Sequence, residues 1–333
     1  MTVAVGDSLG TEASTAAASV RSLLRGRAIY LLLATTWVIS WTLILLDGGS
    51  LSLNRLLVPA VGLGVIAAGQ TAVVIAGSID LSVAWLITVC AMLVAAQADG
   101  DSSKLPFAIA VTLGVGALVG LVNGLMVAGL HVHGFVATLG MALALQGVVA
   151  MTFAQNAPAR MPDSIVESLG FGGVGPVRWS TVLLITVMVI VAWVLGRTRV
   201  GAHIYAVGGS EEVSRLSGIR TSVPMIAAHV TSGLCAAVAG IYLASRLGTP
   251  NVEIGRAGLY DLESIAVVVL GGAALTGGRG RMAWTFASLS VFILIDDTFS
   301  QLGVNPFLKL VARGVIIIAA VASYTFVARE ESR

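Results

Sequence analysis

The chain has 333 residues, of which 57% are hydrophobic and only 11% are charged, and its mean hydropathy is +0.95. Soluble proteins carry roughly 25% charged residues, so this chain lacks the residues that would cover a water-exposed surface. The formal net charge is only +2 and the basic residues are dispersed, which predicts no nucleic-acid partner. The composition therefore predicts an integral membrane protein.

Long apolar blocks recur along the chain, and a helix that crosses a hydrocarbon core of ~30 Å needs about 20 such residues. They predict an all-α membrane protein with about ten transmembrane helices. In chain order the predicted segments are Ala28–Leu46, Leu56–Gly77, Val83–Ala98, Phe107–Gly129, Phe135–Phe153, Thr181–Gly196, Pro224–Ser245, Leu262–Leu275, Met282–Phe299 and Phe307–Val327. Residues 28–327 then form one transmembrane domain, with short cytoplasmic tails at 1–27 and 328–333.

The distribution of basic residues favours a cytoplasmic N-terminus. Lys and Arg are more frequent on the cytoplasmic side of membrane proteins. With both termini inside, the cytoplasmic segments hold a moderate excess of Lys and Arg over the outside segments. The N-terminal tail does not resemble a cleavable signal, because Asp7 and Glu12 lie where basic residues belong.

The longest predicted cytoplasmic connection covers residues 197–223. Within it, Ser210 followed by Glu211 and Glu212 predicts a helix start, with a cap and two acids at the positive end of the helix dipole. Gly218 predicts its end. This connection is either a short amphipathic helix between two membrane segments or a solvated connector.

A weak internal repeat predicts an inverted architecture. Residues 130–135 (Leu-His-Val-His-Gly-Phe) match residues 302–307 (Leu-Gly-Val-Asn-Pro-Phe) at three positions with one constant offset. The first copy falls on the predicted cytoplasmic side and the second on the outside. Inverted repeats of this kind commonly surround the central pathway of a transporter.

Polar and charged side chains inside membrane segments are the strongest functional candidates, because their exposure to lipid costs several kcal/mol. A carboxylate can alternatively cap a helix, and an amide can bond a neighbouring helix. The candidates are Gln70, Asp80, Asn123, Gln146, Asp261, Glu263, Asp296 and Asp297. The eighth segment is also short and runs into paired glycines, which is typical of a broken helix beside a transport pathway.

Several chemistries have no support in the sequence. Neither lysine, Lys104 or Lys309, lies in a Gly-Lys-Ser/Thr arrangement, so no P-loop for ATP is present. Cys90 and Cys235 lie inside apolar runs and predict packing residues rather than a metal site. No constellation supports an intramembrane enzyme. The sequence therefore predicts no catalytic residue, no metal and no cofactor.

Five motifs follow one another in an order that resembles the permease subunits of ribose-type ABC sugar importers. The resemblance covers roughly residues 56–320. The motifs are Ala76–Ser82 (Ala-Gly-Ser-Ile-Asp-Leu-Ser), Gly120–Gly124 (Gly-Leu-Val-Asn-Gly), Phe135–Gly140 (Phe-Val-Ala-Thr-Leu-Gly), the stretch from Gly208 to Ile219 that ends in Arg-Leu-Ser-Gly-Ile, and Gly271–Gly280 (Gly-Gly-Ala-Ala-Leu-Thr-Gly-Gly-Arg-Gly).

The resemblance implies a homo- or heterodimeric channel in the bacterial inner membrane, with two cytoplasmic ATP-binding subunits and an extracytoplasmic sugar-binding protein as partners. The residues predicted to couple to the ATPase are Glu211, Glu212, Arg215, Leu216, Ser217 and Gly218. The residues predicted to line the substrate pathway are Asp80, Asn123, Phe135, Thr138, Gln146, Asp296, Asp297 and Asn305.

The sequence departs from the pattern of that family at four places. They are Ser78, Ala84–Trp85, His133–Gly134 and Asp296–Asp297. The aspartate pair adds charge near the predicted external mouth, so the resemblance does not single out a pentose as the substrate. Two other functions remain open: an ABC permease for nucleosides or branched-chain amino acids, and an ion-coupled secondary transporter.

Overall fold

The computed structural model describes residues 34–42, 45–46, 53–153, 159–305, 307–309, 311–312, 314–315 and 318, and these are mostly helical. The α-helices with defined ends are α1 (Leu53–Ile75), α2 (Val83–Ala98), α3 (Leu105–Ala128), α4 (Gly134–Thr152), α5 (Asp163–Ile165), α6 (Trp179–Arg197), α7 (Arg199–Gly209), α8 (Glu211–Leu216), α9 (Ser222–Leu247), α10 (Ile254–Ala257), α11 (Tyr260–Leu270) and α12 (Met282–Gln301). A π-helix (Val166–Gly170) follows α5, and β1 (Gly173–Val174) pairs antiparallel with β2 (Val177–Arg178).

Six helices of the described part are long and apolar enough to cross a membrane, namely α1, α3, α4, α6, α9 and α12. The shorter α2 is also apolar. These helices confirm an all-α membrane protein. The predicted tails at 1–27 and 328–333 lie outside the described residues, as do parts of the first and last predicted segments. The number of ten crossings therefore stays a prediction.

The predicted C-terminal end of the eighth segment was wrong. The segment Leu262–Leu275 is replaced by α11, which ends at Leu270. Gly272 has a φ of +79°, and Gly277 and Gly278 also have positive φ, which an α-helix cannot accommodate. The glycines thus end the helix early, as the prediction of an interrupted segment required.

The core of the fold is built around α1 and α2. In the apolar membrane-spanning stretch of α1, 89% of the residues are buried inside the protein. Leu86 and Ile87 of α2 are fully buried. Both sequences are apolar on all sides, a pattern typical of a helix surrounded by other helices. In contrast, only 28% of the residues in the spanning stretches of α3 and α6 are buried, and 33% of those in α4. The outer helices therefore present open apolar faces to lipid or to a partner.

Helices α3 and α9 approach each other through glycines. A Cβ atom at Gly120 would lie 2.4 Å from the carbonyl oxygen of His229, and one at Gly116 would lie 2.5 Å from that of Gly233. A Cβ atom at Gly124 would lie 2.6 Å from the Cα atom of Ile226. Small residues at this spacing let two helix backbones come into direct contact. The two helices therefore form a tightly packed pair.

The connections gather at two opposite ends of the helices. One end, called the Ser78 end below, carries residues 76–82, 129–133, 198–221 and 271–281. The other, called the Arg55 end, carries residues 99–104, 159–178, 248–259 and 302–305. Contacts join the loops of each end: the hydroxyl of Tyr205 donates to the carbonyl of Gly280 at 2.8 Å, and the amide of Gly100 donates to the carbonyl of Arg160 at 2.9 Å. The helices between them therefore alternate in direction, as the predicted topology requires.

Candidate functional site

A charged pocket of about 240 Å³ opens at the Arg55 end. It lies between α1, α11 and α12, and two aromatic side chains and four ionisable ones contribute to its wall. Its lining residues are Arg55, Pro59, Leu63, Gly258, Tyr260, Glu263, Phe292, Ile293, Asp296, Asp297 and Ser300. Three carboxylates face one guanidinium, so the pocket has an excess of hydrogen-bond acceptors beside apolar ring surfaces.

The side chains at the pocket rim are ordered by a short hydrogen-bonded chain. Arg55 donates from Nη1 to Oε1 of Gln301 at 2.8 Å, and Gln301 donates from Nε2 to Oδ2 of Asp297 at 2.7 Å. The Nε atom of Arg55 also lies 3.8 Å from Oδ1 of Asp297. These contacts join the start of α1 to the end of α12. The pocket is therefore bounded by side chains with fixed orientations.

A buried polar cluster lies at the Ser78 end, around Asp80. Its carboxylate oxygen Oδ1 accepts from the backbone amide of Ser82 at 3.0 Å and from the hydroxyl of Ser82 at 2.6 Å. Oδ2 accepts from the hydroxyl of Ser232 at 2.8 Å, and Nδ1 of His229 lies 4.0 Å away. Asn123 donates from Nδ2 to the Ser82 hydroxyl at 2.9 Å. We call these residues the Asp80 cluster.

The irregular backbone between α1 and α2 is held by further side chains. Thr138 accepts from the amide of Leu81 at 3.1 Å, and the amide group of Gln70 bonds both the backbone N–H and C=O of Asp80, at 3.2 and 3.3 Å. Nε2 of His229 lies 3.1 Å from the hydroxyl of Ser78. The polar groups of a buried non-helical segment require such partners, because they are shielded from water.

The open face of α4 carries a polar side chain in an apolar surface. Gln146 is exposed in the middle of this helix, and Phe135 is exposed near its start. Gly140 and Gly147 are exposed on the same helix, with open space where a Cβ atom would lie. A polar amide on an exposed apolar helix surface is typical of a helix that contacts another helix or a water-filled pathway.

The predicted short helix in the connection 197–223 is present as α8. The hydroxyl oxygen of Ser210 accepts from the amide of Val213 at 3.3 Å, and Gly218 has a φ of +82°, so the predicted start and stop are both confirmed. Leu216 is 79% exposed and Val213 is 60% exposed. Two large apolar side chains outside the spanning helices thus have no cover within the described part of the chain.

The sequence prediction missed α7, which precedes α8. Thr198 caps it by accepting from the amide of Gly201 at 3.1 Å. Two of its own apolar side chains, Ile204 and Val207, are buried. The threonine cap and the three-residue apolar spacing were the available signals. Burial raises the pKa of the Tyr205 hydroxyl, so this group remains protonated and donates to the loop 271–281.

The structure divides seven of the predicted pathway residues into three groups and leaves Asn305 apart. Asp296 and Asp297 line the pocket, and Phe135 and Gln146 lie on the open face of α4. Asp80, Asn123 and Thr138 are fully buried outside the pocket lining, and Asn305 accepts from the amide of Phe307 at 2.9 Å. The direct contact of these residues with a solute stays a prediction.

Sequence reasoning missed two partners of Asp80 and eight of the eleven pocket residues, two of which are aromatic. His229 and Ser232 lie one turn apart on α9, and no local motif connects them to a loop about 150 positions earlier. Tyr260 and Phe292 were indistinguishable from ordinary core aromatics. A buried polar pair on an otherwise apolar helix was the available signal for the α9 residues.

The sequence of the chain is similar to those of known membrane permeases. Residues 52–321 match the family model described as the permease component of branched-chain amino acid transport systems. The ribose import permease protein RbsC of Escherichia coli K12 is 35% identical over 261 residues, which cover 77% of this chain and 80% of the relative. No solved structure matches the chain significantly.

Two further relatives from Escherichia coli K12 are similarly close. The L-arabinose transport system permease protein AraH is 34% identical over 264 residues, covering 78% of this chain and 77% of the relative. The galactose/methyl galactoside import permease protein MglC is 29% identical over 275 residues, covering 78% and 81%.

The fold and the site define a multi-pass membrane protein, with a charged pocket at one end and an exposed capped helix at the other. The family match spans most of the chain, and the ribose relative exceeds 30% identity over most of both proteins. The chain belongs to the permease-component family of the branched-chain amino acid transport type.

Proposed function

We propose that the chain is the transmembrane permease subunit of an ABC importer that carries a sugar or sugar-like solute into the cytoplasm across the bacterial inner membrane. The observation that carries this proposal is the similarity to three permeases whose names state ribose import, galactose/methyl galactoside import and L-arabinose transport. The solute differs among these relatives while the similarity extends over most of each chain. The similarity therefore supports the sugar class and leaves the particular sugar open.

The two ends of the fold match the two partners that this function requires. At the Ser78 end, α8 offers Val213 and Leu216 to a cytoplasmic ATP-binding subunit, with Glu211, Glu212, Arg215, Ser217 and Gly218 around them. At the Arg55 end, an extracytoplasmic sugar-binding protein delivers the solute and supplies most of the selectivity. ATP hydrolysis is the task of the ATP-binding subunits.

The charged pocket suits a polyhydroxylated solute. Carboxylates of Asp296 and Asp297 accept hydrogen bonds from hydroxyl groups, and the rings of Tyr260 and Phe292 offer apolar surfaces to the C–H groups of a sugar. The volume of about 240 Å³ accommodates a monosaccharide-sized solute. The pocket therefore serves as the point of entry on the external side.

The open face of α4 lines the proposed pathway at the boundary between two permease subunits, which are identical or related. Gln146 would be costly to expose to lipid, and the neighbouring Gly140 and Gly147 permit close approach of a second helix. A pathway at the subunit boundary satisfies both features, since it hydrates the amide and covers the apolar residues. Phe135 lies at the inner end of this face.

The inverted repeat that the sequence suggested gains support from backbone geometry. His131 and Gly303 occupy the same position in the two copies, and both have positive φ, +54° and +64°. The first copy lies at the Ser78 end and the second at the Arg55 end. Two equivalent turns at opposite ends are the arrangement expected of inverted halves.

The experiment that tests the function is a pull-down of the tagged permease from detergent-solubilised native membranes, followed by mass spectrometry. Recovery of a P-loop ATPase and a sugar-binding protein supports the importer. A co-purified nucleoside- or amino-acid-binding protein would instead favour those solutes. A permease that purifies alone and transports solute in ATP-free vesicles would contradict the proposal in favour of a secondary transporter.

Asp297→Asn is expected to raise the apparent KM of uptake by about tenfold, because a hydrogen bond to a charged group contributes ~1.5–3 kcal/mol. The amide retains the shape of the carboxylate and a bond to Gln301, so the fold is preserved. Asp163→Asn is the matched control, since this exposed carboxylate lies at the same end but outside the pocket. Equal KM values for the two variants in vesicle uptake would exclude the pocket from solute binding.

A further inference from the structure

Asp80 joins parts of the fold that the proposed function assigns to different tasks. Oδ1 of its carboxylate bonds Ser82 at the start of α2, and Ser82 in turn bonds Asn123 of α3. Oδ2 bonds Ser232 of α9. The same loop is bonded by Thr138 of α4. One buried carboxylate therefore lies at the junction of four helices.

Helix α9 follows the proposed ATPase-docking segment after a short turn at residues 217–221. It begins at Ser222, shortly after α8 ends at Leu216, and the hydroxyl of Thr221 donates to Oε1 of Glu211 at 3.0 Å. His229 and Ser232 lie about two to three turns into α9. A displacement of α8 therefore reaches the Asp80 cluster along one rigid helix.

Helix α4 is attached to the other side of the cluster. Thr138 bonds the loop 77–82, and Gly134 lies so close to Ser78 that a Cβ atom there would be 2.0 Å from the serine hydroxyl oxygen. The same helix carries Phe135 and Gln146 on the face that the proposed function assigns to the pathway. The loop thus forms a direct mechanical link between α9 and the pathway helix.

We propose that Asp80 is a positioning residue that transmits the movement of α8 through α9 to α4, and so couples ATP hydrolysis to opening of the pathway. The inference rests on the proposed function. Asp80 acts without touching the solute, because its side chain is 0% exposed and both its oxygens bond protein groups. The glycines of α3 lie against the backbone of α9, so these two helices are expected to move together.

The test measures solute uptake and ATP hydrolysis together, in vesicles that contain the permease with its ATP-binding subunits and binding protein. Asp80→Asn removes the charge but keeps the shape of the side chain, and the Ser232 hydroxyl can rotate to accept from the new amide. Solute transported per ATP hydrolysed is expected to fall by about tenfold, within the range that coupling residues show, while the complex still assembles and hydrolyses ATP.

Thr71→Val is the matched control. Thr71 is equally buried and bonds the hydroxyl of Thr285 at 3.0 Å, but it lies outside the Asp80 cluster. This variant is expected to keep the wild-type ratio of transport to ATP hydrolysis. A purely structural role of buried polar groups would instead affect assembly and leave the ratio of the assembled complex unchanged.

Ser232→Ala tests the coupling role of Asp80 if the complex with Asp80→Asn does not assemble. It removes only the bond from α9 to Asp80 and is expected to lower the same ratio, whereas an unchanged ratio overturns the inference. If assembled Asp80→Asn keeps the wild-type ratio, the inference is likewise overturned, although the importer function stands. A wild-type complex that hydrolyses ATP without any uptake would contradict the proposed function itself.

Discussion

Leu216→Asp is expected to abolish capture of the ATP-binding subunits and to lower ATP-dependent uptake by about tenfold or more. Leu216 is 79% exposed on α8, so most of its apolar side chain is uncovered in the described part of the chain. A central apolar contact in a protein interface typically contributes ~2 kcal/mol or more, and a buried charge in its place adds a desolvation cost. Pull-down yield and uptake in vesicles measure the two effects.

Val174→Asp is the control for this substitution. Val174 is 67% exposed and also lies outside the spanning helices, but on the small hairpin at the Arg55 end. It is expected to leave recovery of the ATP-binding subunits unchanged. If both variants or neither lose those subunits, α8 is not the docking helix.

Gly120→Leu is expected to cause the largest loss of folded protein. Its Cβ atom would lie 2.4 Å from the backbone carbonyl of His229, which cannot move without displacing α9. Overpacking costs typically ~1–3 kcal/mol and more where backbone must shift, and each 1.4 kcal/mol is a tenfold change in an equilibrium. The yield of monodisperse permease in size-exclusion chromatography is therefore expected to fall about tenfold or more.

Gly114→Leu provides the matched comparison on the same helix. Gly114 is exposed, and no atom lies within 4 Å of the position where its Cβ would be. A leucine there faces the open side of α3 and is expected to preserve the wild-type yield. A similar loss in both variants would show that α3 tolerates no large residue anywhere, and would contradict the specific role of the α3–α9 contact.

The helices could be predicted from sequence because a membrane-spanning helix needs a long run of apolar residues. The predicted bounds of α2 and those in the structure are the same, Val83–Ala98. The cap at Ser210 and the stop at Gly218 were also predictable, since both depend on adjacent residues alone. The end of α11 was not, because glycine is tolerated inside membrane helices and its φ is set by the packing of the following loop.

The candidate site was less predictable, because its contacts join residues that are distant in sequence. Asp80 was identified as unusual from its charge, but its bond to Ser232 spans 152 positions. The pocket joins Arg55 to Asp297 across almost the whole described chain. Charge inside an apolar segment identifies a candidate, whereas only the tertiary packing decides whether it faces a pocket or a neighbouring helix.

Sugar uptake into vesicles measured with and without ATP tests the central claim most directly. The vesicles contain the permease with the ATP-binding subunits recovered alongside it, and the sugar-binding protein is added outside with radiolabelled sugar. The proposed function predicts accumulation that requires both ATP inside and the binding protein outside. Accumulation driven by an ion gradient without ATP, or none under any condition with an assembled complex that hydrolyses ATP, would contradict it.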